Sequence, residues 1–291
     1  MDMEPTKHQT LGLIAGGGKL PLLVADGMRE AGVRVIGIGL RDHHDPALAP
    51  MCDQFVVHGV LRISRWIKTL RRAAITEAVI VGRVGKARMH EPLRWLRQMP
   101  DWRAARVWYR RLGNDRRNNT VMSALADELR DSGITLIDST AYITRHLAHE
   151  GVMTQVGTSK QHDADISDGW PMLRRVVSLD IGQAIAICGG RVIAVESLEG
   201  TDAMIERAGG LNGAGWTLLK APAEDHDMRF DVPAIGPTTI ERMARARGGC
   251  LALNAGRVIM IEKDKVLATA ERLGIPIIGI GTRQGRAASP D

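Results

Sequence analysis

The sequence contains few aromatic residues and few cysteines. Aromatic side chains make up only 3% of the 291 residues, so a core has to be built mainly from Ala, Val, Ile, Leu and Met. A hydrophobic fraction of 44% is typical of a globular protein, and the length suits one large or two moderate domains. The three cysteines, Cys52, Cys188 and Cys250, are odd in number and far apart. Their spacing indicates neither a disulfide framework nor a zinc site, and it fits a reducing cytosol.

Long apolar runs are also absent. No run approaches the roughly 18 residues that span a bilayer, and the first ten residues carry no apolar stretch of a signal peptide. We therefore expect a cytoplasmic protein that is soluble or at most peripheral. The sequence has no G-x-S-x-G motif, no Cys/His pair suited to a nucleophile and no metal-ligand spacing among its histidines. These absences favour attack by an activated water over covalent catalysis.

Positive charge exceeds negative charge, with a net charge of +6 that favours phosphate-bearing or anionic partners. The tract from Arg83 to Arg117 holds eleven Lys and Arg residues, interleaved with Trp95, Trp102 and Trp108. Cations beside tryptophans are typical of a surface that meets anionic lipid headgroups. Nucleic-acid phosphates and a plain solvated helical face are the alternatives, although no nucleic-acid-binding motif accompanies the tract.

Short apolar runs alternate with helical stretches from residue 11 to residue 150. This alternation predicts an α/β fold that begins with a Rossmann-like parallel sheet and its crossover helices. We expect this N-terminal domain to cover residues 1–145. The predicted strands are Leu11–Ala15, Val33–Gly39, Gln54–Val57, Ala78–Val81 and Ile134–Ile137, and the predicted helices lie near Lys19–Ala31, Ser64–Ala74 and Asn119–Ser132.

The pattern weakens over residues 146–168, which predicts a linker, and a mixed α+β domain is expected over residues 169–291. Gly189-Gly190 between two apolar runs is typical of the tight turn of a β-hairpin over residues 184–196. A weaker echo over residues 251–262 predicts a second hairpin, either a duplicated unit or an unrelated one. A helix at Asp264–Leu273 and a strand at Ile275–Ile280 close the chain.

Gly16, Gly17, Gly18 and Lys19 follow the first predicted strand and precede a helix. Such a turn lets backbone N–H groups approach a phosphate at the helix N-terminus. The segment is neither G-x-G-x-x-G nor a P-loop, because Leu20 follows Lys19. A tight turn without a ligand is the alternative.

The segment from Asp225 to Glu241 is rich in chemically active side chains. Read with period two, Asp227, Arg229 and Asp231 share one face of a strand over residues 227–232, with apolar residues on the other. That face suits a divalent metal or a phosphate, and an ordinary ion pair is the alternative. Thr238 with Glu241 predicts a capping box at the start of the next helix.

Polar residues also flank the predicted hairpin. Gln183 precedes its first strand, and Glu199, Thr201 and Asp202 follow its second. Loops held by a rigid hairpin commonly build binding sites. Helix capping by Thr201 and Asp202 is the alternative.

Four motifs together resemble the LpxI family, the UDP-2,3-diacylglucosamine pyrophosphatases of lipid A biosynthesis, from about Leu11 to Gly279. The family's Gln-Asp-x-Arg motif maps onto His226-Asp227-Met228-Arg229, with His226 in place of Gln. The matching segments are Leu13–Pro21, Asp180–Ala184, Glu199–Met204, and Asp227–Pro233 with Ile235–Thr238.

The resemblance implies hydrolysis of UDP-2,3-diacylglucosamine by water attack at the α-phosphorus, which yields UMP and lipid X. It implies a divalent cation, Mg²⁺ or another such as Mn²⁺, and it carries the essential aspartate over to Asp227, with Asp225 a lesser candidate. A UDP-linked diacylated glucosamine lipid is then the expected partner, with contact to the membrane surface at the inner face of the inner membrane and no nucleic acid. A homodimer is allowed.

The implied roles follow the chemistry of each side chain. We expect Asp227 to ligate the metal or act as base, Asp231 to support the metal and Arg229 to contact a phosphate oxygen. A less specific nucleotide-sugar hydrolase and a non-catalytic protein that binds anionic lipid or nucleic acid are the competing hypotheses. The expected substrate-binding residues are Gly16, Gly17, Gly18, Lys19, Gln183, Glu199, Thr201, Asp202, Arg229 and Thr238.

Overall fold

A computed structural model of the protein describes residues 9–84, 100–107 and 118–281. The chain folds into two units. The first unit runs to Ile143 and also takes in Met228–Asp231, and the second holds Thr144–Asp227 and the residues from Val232 onward. Each unit has its own sheet and its own apolar core.

The first unit is built on a five-stranded sheet of order β3-β2-β1-β4-β5, in which every pair is parallel. β1 is buried along almost its whole length, which explains why its sequence is a continuous apolar run rather than an alternating one. This order confirms the predicted Rossmann-like parallel sheet. The strands are β1 Thr10–Ala15, β2 Arg34–Leu40, β3 Gln54–His58, β4 Glu77–Val81 and β5 Thr135–Leu136.

Helices connect these strands close to the predicted positions. α1 has a proline in its first turn, where the missing N–H costs no helical hydrogen bond. α2 buries Ile63, Trp66, Ile67 and Leu70 and leaves its basic residues to solvent. The described helices of this unit are α1 Leu20–Glu30, α2 Ile63–Arg72, α3 Trp102–Arg106 and α4 Asn118–Arg130, with a 3₁₀ helix at Pro46–Met51.

The second unit is built on a six-stranded mixed sheet of order β6-β13-β11-β9-β7-β8. β9, β11 and β13 are parallel, whereas β7, β8 and β6 join antiparallel. Two short strands, β10 and β12, pair separately. The strands are β6 Gly151–Val152, β7 Ala184–Cys188, β8 Arg191–Val195, β9 Trp216–Lys220, β10 Ala234–Ile235, β11 Gly248–Asn254, β12 Ile259–Met260 and β13 Ile277–Ile280.

In the described part of this unit, four α-helices cover the mixed sheet, as expected for an α+β domain. Alternate residues of β9 and β11 enter two separate apolar clusters, so both faces of the sheet are covered. Within the described residues, no helix is both long enough and apolar enough to span a membrane. The helices are α5 Lys160–Ser178, α6 Gly200–Asn212, α7 Pro237–Arg245 and α8 Lys263–Arg272, after a 3₁₀ helix at Thr144–His146.

Residues 146–168 are structured, although the sequence pattern predicted a linker. Gly151–Val152 pairs with β13, and α5 already begins at Lys160. Ser159 caps α5, because its hydroxyl accepts from the His162 N–H at 3.2 Å while the Ser159 N–H donates to His162 Nδ1 at 3.3 Å. Polar residues fill the exposed face of this helix, so its first turns have the composition of a loop.

The second predicted hairpin, over residues 251–262, is also wrong. The first hairpin is confirmed, with β7 and β8 antiparallel around Gly189 and Gly190, both at positive φ. Residues 248–254 instead form β11, which lies between β9 and β13 and is parallel to both. The chain after β11 turns away to β12, which pairs with β10.

Candidate functional site

The glycine loop lies between β1 and α1 and is closed by its own backbone. The Gly16 N–H donates to the Val81 carbonyl at 2.8 Å, and Gly17 exchanges hydrogen bonds of 2.8 and 2.9 Å with Arg83. A Cβ on Gly16 would lie 2.7 Å from the Arg83 carbonyl oxygen, so the close approach of two backbones requires glycine here. The N–H groups of Gly16 and Gly17, which the sequence pattern predicted to bind a phosphate, are therefore already hydrogen-bonded to backbone carbonyls.

The part of the loop that meets the helix is different. Gly18 adopts a positive φ of 94° and turns the chain into α1, and Lys19 stands at the N-cap position. A helix N-terminus carries a partial positive charge from its first N–H groups. An anion at this loop would accordingly meet the start of α1 and Lys19 rather than the amides of Gly16 and Gly17.

The segment after Asp225 is a loop, so the predicted strand over residues 227–232 is wrong. The chain turns at Met228–Arg229, and Asp231 has a positive φ of 44°, which no extended strand allows. The Met228 carbonyl accepts from the Ser139 N–H and hydroxyl at 3.2 and 2.8 Å. Asp227 and Asp231 are therefore separated by a turn and do not share a strand face.

The period-two pattern of this segment still predicts which of its apolar residues are buried. Phe230 is 3% exposed within the core of the first unit, and Val232 is 9% exposed. The Arg229 guanidinium lies 5.1 Å from the Phe230 ring centre, in cation–π geometry. The apolar residues anchor the loop, and the charged residues between them are at least partly accessible.

Arg257 fixes the backbone that leads into Asp227. Its two terminal nitrogens donate to the carbonyls of Glu224 at 2.9 Å and His226 at 3.2 Å. Burial and then the nearby Arg174 lower the pKa of Arg257, whereas Glu224 and Asp225 act in the opposite direction. A guanidinium stays charged in proteins and presents two parallel donors, so it is suited to hold two carbonyls at once. The sequence pattern missed this residue.

A buried polar cluster lies beside the hairpin in the second unit. Lys220 Nζ donates to the Thr201 hydroxyl at 2.8 Å and to Glu196 at 3.3 Å, and Thr201 in turn donates to Glu196 at 2.7 Å. Lys220 is 3% exposed and Glu196 is 9% exposed. Thr201 was predicted from its motif, but Glu196 and Lys220 were not. A lone lysine ending the apolar run of β9 is the signal that could have found this cluster.

The other predicted residues around the hairpin point to different partners. Arg207 pairs with Glu199 at 2.6 Å, and hydrogen bonds from the backbone N–H of Glu199 itself and from Arg207 lower the pKa of Glu199. Asp202 lies 3.4 Å from Arg242 on α7. The start of α6 thus directs Thr201 inward, while the two carboxylates make surface ion pairs.

Gln183 and Thr238 lie at the starts of a strand and a helix. The Gln183 carbonyl accepts from the Ala221 N–H at 3.0 Å, which places Gln183 directly before β7. The predicted capping box of Thr238 and Glu241 is wrong, because Gly236 is the N-cap of α7 and the Thr239 hydroxyl accepts from its N–H at 3.3 Å. Thr238 instead occupies the first turn, beside the partial positive charge of the helix start.

The candidate residues divide between the two units. The first unit holds Arg229, Asp231 and the glycine loop, and the second holds Asp227, Gln183, Glu199, Thr201, Asp202 and Thr238. Of the second set, Thr201 is the residue that joins the buried cluster of Glu196 and Lys220. Most of the Arg/Trp tract predicted over residues 83–117 lies outside the described residues.

Metal-ligating side chains do not cluster in the described part of the chain. No group of three or more His, Cys, Asp or Glu residues there could hold a metal ion. The donor chemistry of Asp227 and Asp231 nevertheless fits Mg²⁺, which takes oxygen ligands and usually binds through one or two carboxylates, waters and substrate phosphates. A complete all-protein ligand cage is not needed for such a site.

Two family models match consecutive parts of the chain. The LpxI N-terminal domain matches residues 10–146, and the LpxI C-terminal domain matches residues 149–278. A curated relative, the UDP-2,3-diacylglucosamine pyrophosphatase LpxI of Caulobacter vibrioides, is 30% identical over 283 residues. The alignment covers 94% of this chain and 98% of that protein.

Similarity to solved structures is much weaker. The precorrin-6A reductase CobK aligns with 97% of this chain and 90% of its own, at 13% identity and a TM-score of 0.30. The Bordetella bronchiseptica enzyme WbmG, in complex with NAD and UDP, covers 44% of this chain and 36% of its own, at 14% identity and a TM-score of 0.29. TM-scores this low add nothing to the description of the fold.

Proposed function

The chain belongs to the LpxI family, and from that premise we propose that it hydrolyses the pyrophosphate bond of UDP-2,3-diacylglucosamine in lipid A biosynthesis. The observation that carries this proposal is the match of both LpxI domains, in order, over residues 10–146 and 149–278. The 30% identity to a pyrophosphatase over almost the full length of both chains supports the same substrate. The proposed products are UMP and 2,3-diacylglucosamine 1-phosphate, known as lipid X.

Charge neutralisation is the main catalytic task in this reaction. The negative charge of a pyrophosphate repels an incoming nucleophile, so cationic groups around the phosphates lower the barrier. We assign two groups to phosphate oxygens. One is Lys19 with the start of α1, and the other is Arg229 on the loop of residues 226–233, the motif loop. In the first turn of α7, Pro237 has no N–H and the Thr239 N–H donates to the Gly236 carbonyl at 3.0 Å, so Thr238 is the residue of that turn we assign to a phosphate.

Asp227 is the residue we assign to the attacking water. A carboxylate can orient a water and accept its proton as the water attacks phosphorus. Arg257 holds the carbonyls of Glu224 and His226, so the backbone before Asp227 is fixed by a charged, two-pronged donor. Attack at the α-phosphorus would put the water oxygen into UMP and release lipid X as the leaving group.

Asp227 and Asp231 are the residues we assign to a divalent cation, Mg²⁺ or Mn²⁺. When bound, such a cation neutralises phosphate charge and favours the ionised form of a water. The turn at Met228–Arg229 gives the two carboxylates separate positions on one loop. In Mg²⁺ sites with one or two carboxylates, waters and substrate phosphate oxygens commonly complete the ligand set.

Incubation with UDP-2,3-diacylglucosamine in ¹⁸O-labelled water, with and without Mg²⁺, tests the reaction. We expect UMP and lipid X, with the label in UMP, and loss of turnover when the cation is chelated. Label in lipid X instead of UMP would show that water attacks the β-phosphorus. Equal cleavage of unacylated UDP-sugars would favour the less specific hydrolase, and vesicle or oligonucleotide binding without UMP would favour the non-catalytic alternative.

The variant Asp227→Asn tests the assignment of the water-activating residue. We expect turnover to fall by about a hundredfold to ten-thousandfold because the amide cannot take the proton. The matched control is Asp264→Asn, an exposed aspartate in the first turn of α8, which should keep both fold and turnover. An active Asp227→Asn protein, or lost activity in Asp225→Asn instead, would contradict the assignment.

A further inference from the structure

A basic cleft in the first unit is not used by the proposed reaction. It has a volume of about 460 Å³ and lies against α2 and α3. That size is within the range of small-molecule sites. Among the described residues none that line it is acidic, and the lining consists of Ser64, Ile67, Lys68, Arg71, Arg72, Trp102 and Arg103.

One carboxylate holds the starts of the two helices together. Asp101 accepts from the Ser64 N–H in the first turn of α2 at 2.7 Å and from the Ala104 N–H in α3 at 3.0 Å. Ser64, Ile67, Lys68 and Arg71 follow the i, i+3, i+4, i+7 spacing, so they share one face of α2. The two helices that border the cleft are thus joined at their starts through one carboxylate.

The charge of the cleft comes mainly from α2. Arg103 is neutralised by the buried Glu128 at 2.6 Å and also bonds Ser132 at 2.9 Å. Lys68, Arg71 and Arg72 are exposed, and no described residue forms an ion pair with them. Arg71 and Arg72 lie in the last turn, where the helix dipole is favourable to cations. That dipole equals only about half a charge, so it cannot balance three cations.

Trp102 indicates what kind of anion would be bound. Its side chain is 61% exposed at the rim of the cleft, and the Arg103 guanidinium lies 4.8 Å from its ring. An indole that stays in water beside a cationic cleft loses apolar burial, whereas at a bilayer surface it enters the headgroup region. A free phosphate would satisfy the cations but leave the indole exposed.

We propose that this α2–α3 cleft docks the protein on a membrane by binding the phosphate of an anionic phospholipid headgroup, with Trp102 inserted beside it. Each of the three cations should contribute to the free energy of membrane binding as a lysine or arginine near an anionic surface does. The proposal concerns binding and stands whether or not the chain hydrolyses the pyrophosphate. Within the proposed function, it gives a soluble catalytic unit access to a lipid substrate.

Sedimentation with phosphatidylglycerol vesicles tests the proposal. We expect the variant Lys68→Gln/Arg71→Gln/Arg72→Gln to bind these vesicles about a hundredfold more weakly than the wild type, because three charges are removed. Binding of the wild type should weaken as salt is added and should be negligible on phosphatidylcholine. Trp102→Ala should weaken binding while leaving its salt dependence unchanged.

The matched control removes three exposed arginines elsewhere in the same unit, as Arg29→Gln/Arg34→Gln/Arg41→Gln. This protein has the same net charge as the cleft variant and should bind like the wild type. Equal loss in both variants would overturn the proposal in favour of a general charge effect. Binding of soluble glycerophosphoglycerol as tight as binding to the vesicles would show that the bilayer contributes nothing and would overturn docking. Tighter binding to a single-stranded oligonucleotide, lost in the cleft variant, would overturn it as well.

A second measurement separates docking from catalysis. The cleft variant should hydrolyse UDP-2,3-diacylglucosamine in detergent at the wild-type rate and lose rate when the substrate is embedded in anionic vesicles. Docking would be contradicted if the cleft variant hydrolysed the vesicle-embedded substrate as fast as the wild type does. No hydrolysis by the wild type in either form would contradict the proposed function and leave the vesicle-binding result standing.

Discussion

Single side chains in the second unit hold the polar groups that the fold buries. Lys220, Glu196 and Thr201 close a ring of hydrogen bonds of 2.7 to 3.3 Å, so the charge of each buried group has a partner. Removing one member of such a pair leaves the other charge buried and uncompensated. The cluster connects the end of β9 to the end of β8 and the start of α6.

The variant Lys220→Met tests that argument. We expect it to lower the free energy of unfolding by up to about 3–5 kcal/mol, because Glu196 loses its counter-charge. The double variant Lys220→Met/Glu196→Leu should recover much of this loss. Urea unfolding followed by circular dichroism measures both, and a single variant as stable as the wild type would show that the pair does not stabilise the fold.

Arg257 acts on the motif loop through the backbone, so its contribution should appear in turnover. Arg257→Lys keeps the charge but cannot hold two carbonyls with parallel donors. We expect kcat to fall by about tenfold to a hundredfold, since small displacements of catalytic groups cost that much. KM and thermal stability should change little.

Arg174→Lys is the control for this variant. Arg174 lies 3.9 Å from the carboxylate of Glu224 and is a neighbour of Arg257, but within the described residues no hydrogen bond joins it to the carbonyls of Glu224 or His226. Steady-state kinetics of the two variants, with melting temperatures, distinguish positioning from general stabilisation. Equal kcat values in the two variants would contradict a positioning role for Arg257.

At the scale of elements, the first turn of α5 is held by a histidine. His162 Nδ1 accepts the Ser159 N–H, which requires an unprotonated ring nitrogen. Burial lowers the pKa of His162 below its ordinary value of 6.5, although Asp165 and Asp163 act in the opposite direction. The unfolded chain therefore binds the proton more tightly than the folded chain.

The expected pH dependence of stability follows from that direction. The stability that the neutral His162 contributes is fully present above pH 6.5. It is lost as the pH falls towards the lowered pKa of His162 in the folded state. We expect His162→Gln, which keeps a capping side chain but does not titrate, to reduce the loss of stability between neutral and acidic pH. His162→Ala should cost about 1 kcal/mol at neutral pH.

Melting curves of these proteins across that pH range make the measurement. His58 also has a pKa lowered by burial, so part of the acid sensitivity should remain in His162→Gln. His58→Gln is the matched control, because it removes the other histidine and leaves the α5 cap intact. Identical pH profiles for the wild type and His162→Gln would contradict the role of the cap.

Elements were predictable where a local pattern specified them. The strands of the first unit lie within two residues of the predicted ends, because a continuous apolar run between turns has few alternatives. The strand predicted at 227–232 failed because Asp231 adopts a left-handed conformation and Met228 bonds to Ser139. Period two described which residues are buried but could not report the turn.

At the scale of the whole molecule, the two units have separate apolar cores. Leu13 is fully buried in the first unit, and Leu251 is fully buried in the second. Packing defects act on the cooperative unit that contains them. We therefore expect the units to respond separately to core substitutions.

Leu13→Ala, with Leu251→Ala as its counterpart, tests this expectation. Each substitution should lower the free energy of unfolding of its own unit by about 2–5 kcal/mol. Native-state hydrogen exchange should then show weaker protection of β1, β2 and β4 in the first variant, and of β9, β11 and β13 in the second. Equal loss of protection across both sheets in either variant would indicate one cooperative unit.

The sequence by itself determined the parallel sheet of the first unit, the first hairpin and the family. These follow from local information: apolar runs, glycine turns and motifs whose order along the chain is specific. Only the tertiary structure decided that residues 248–254 lie between two parallel strands, that Arg257 holds the loop before Asp227, and that Lys220 meets Glu196 and Thr201. Each of these depends on residues far apart in sequence, and no local period encodes which of them will meet.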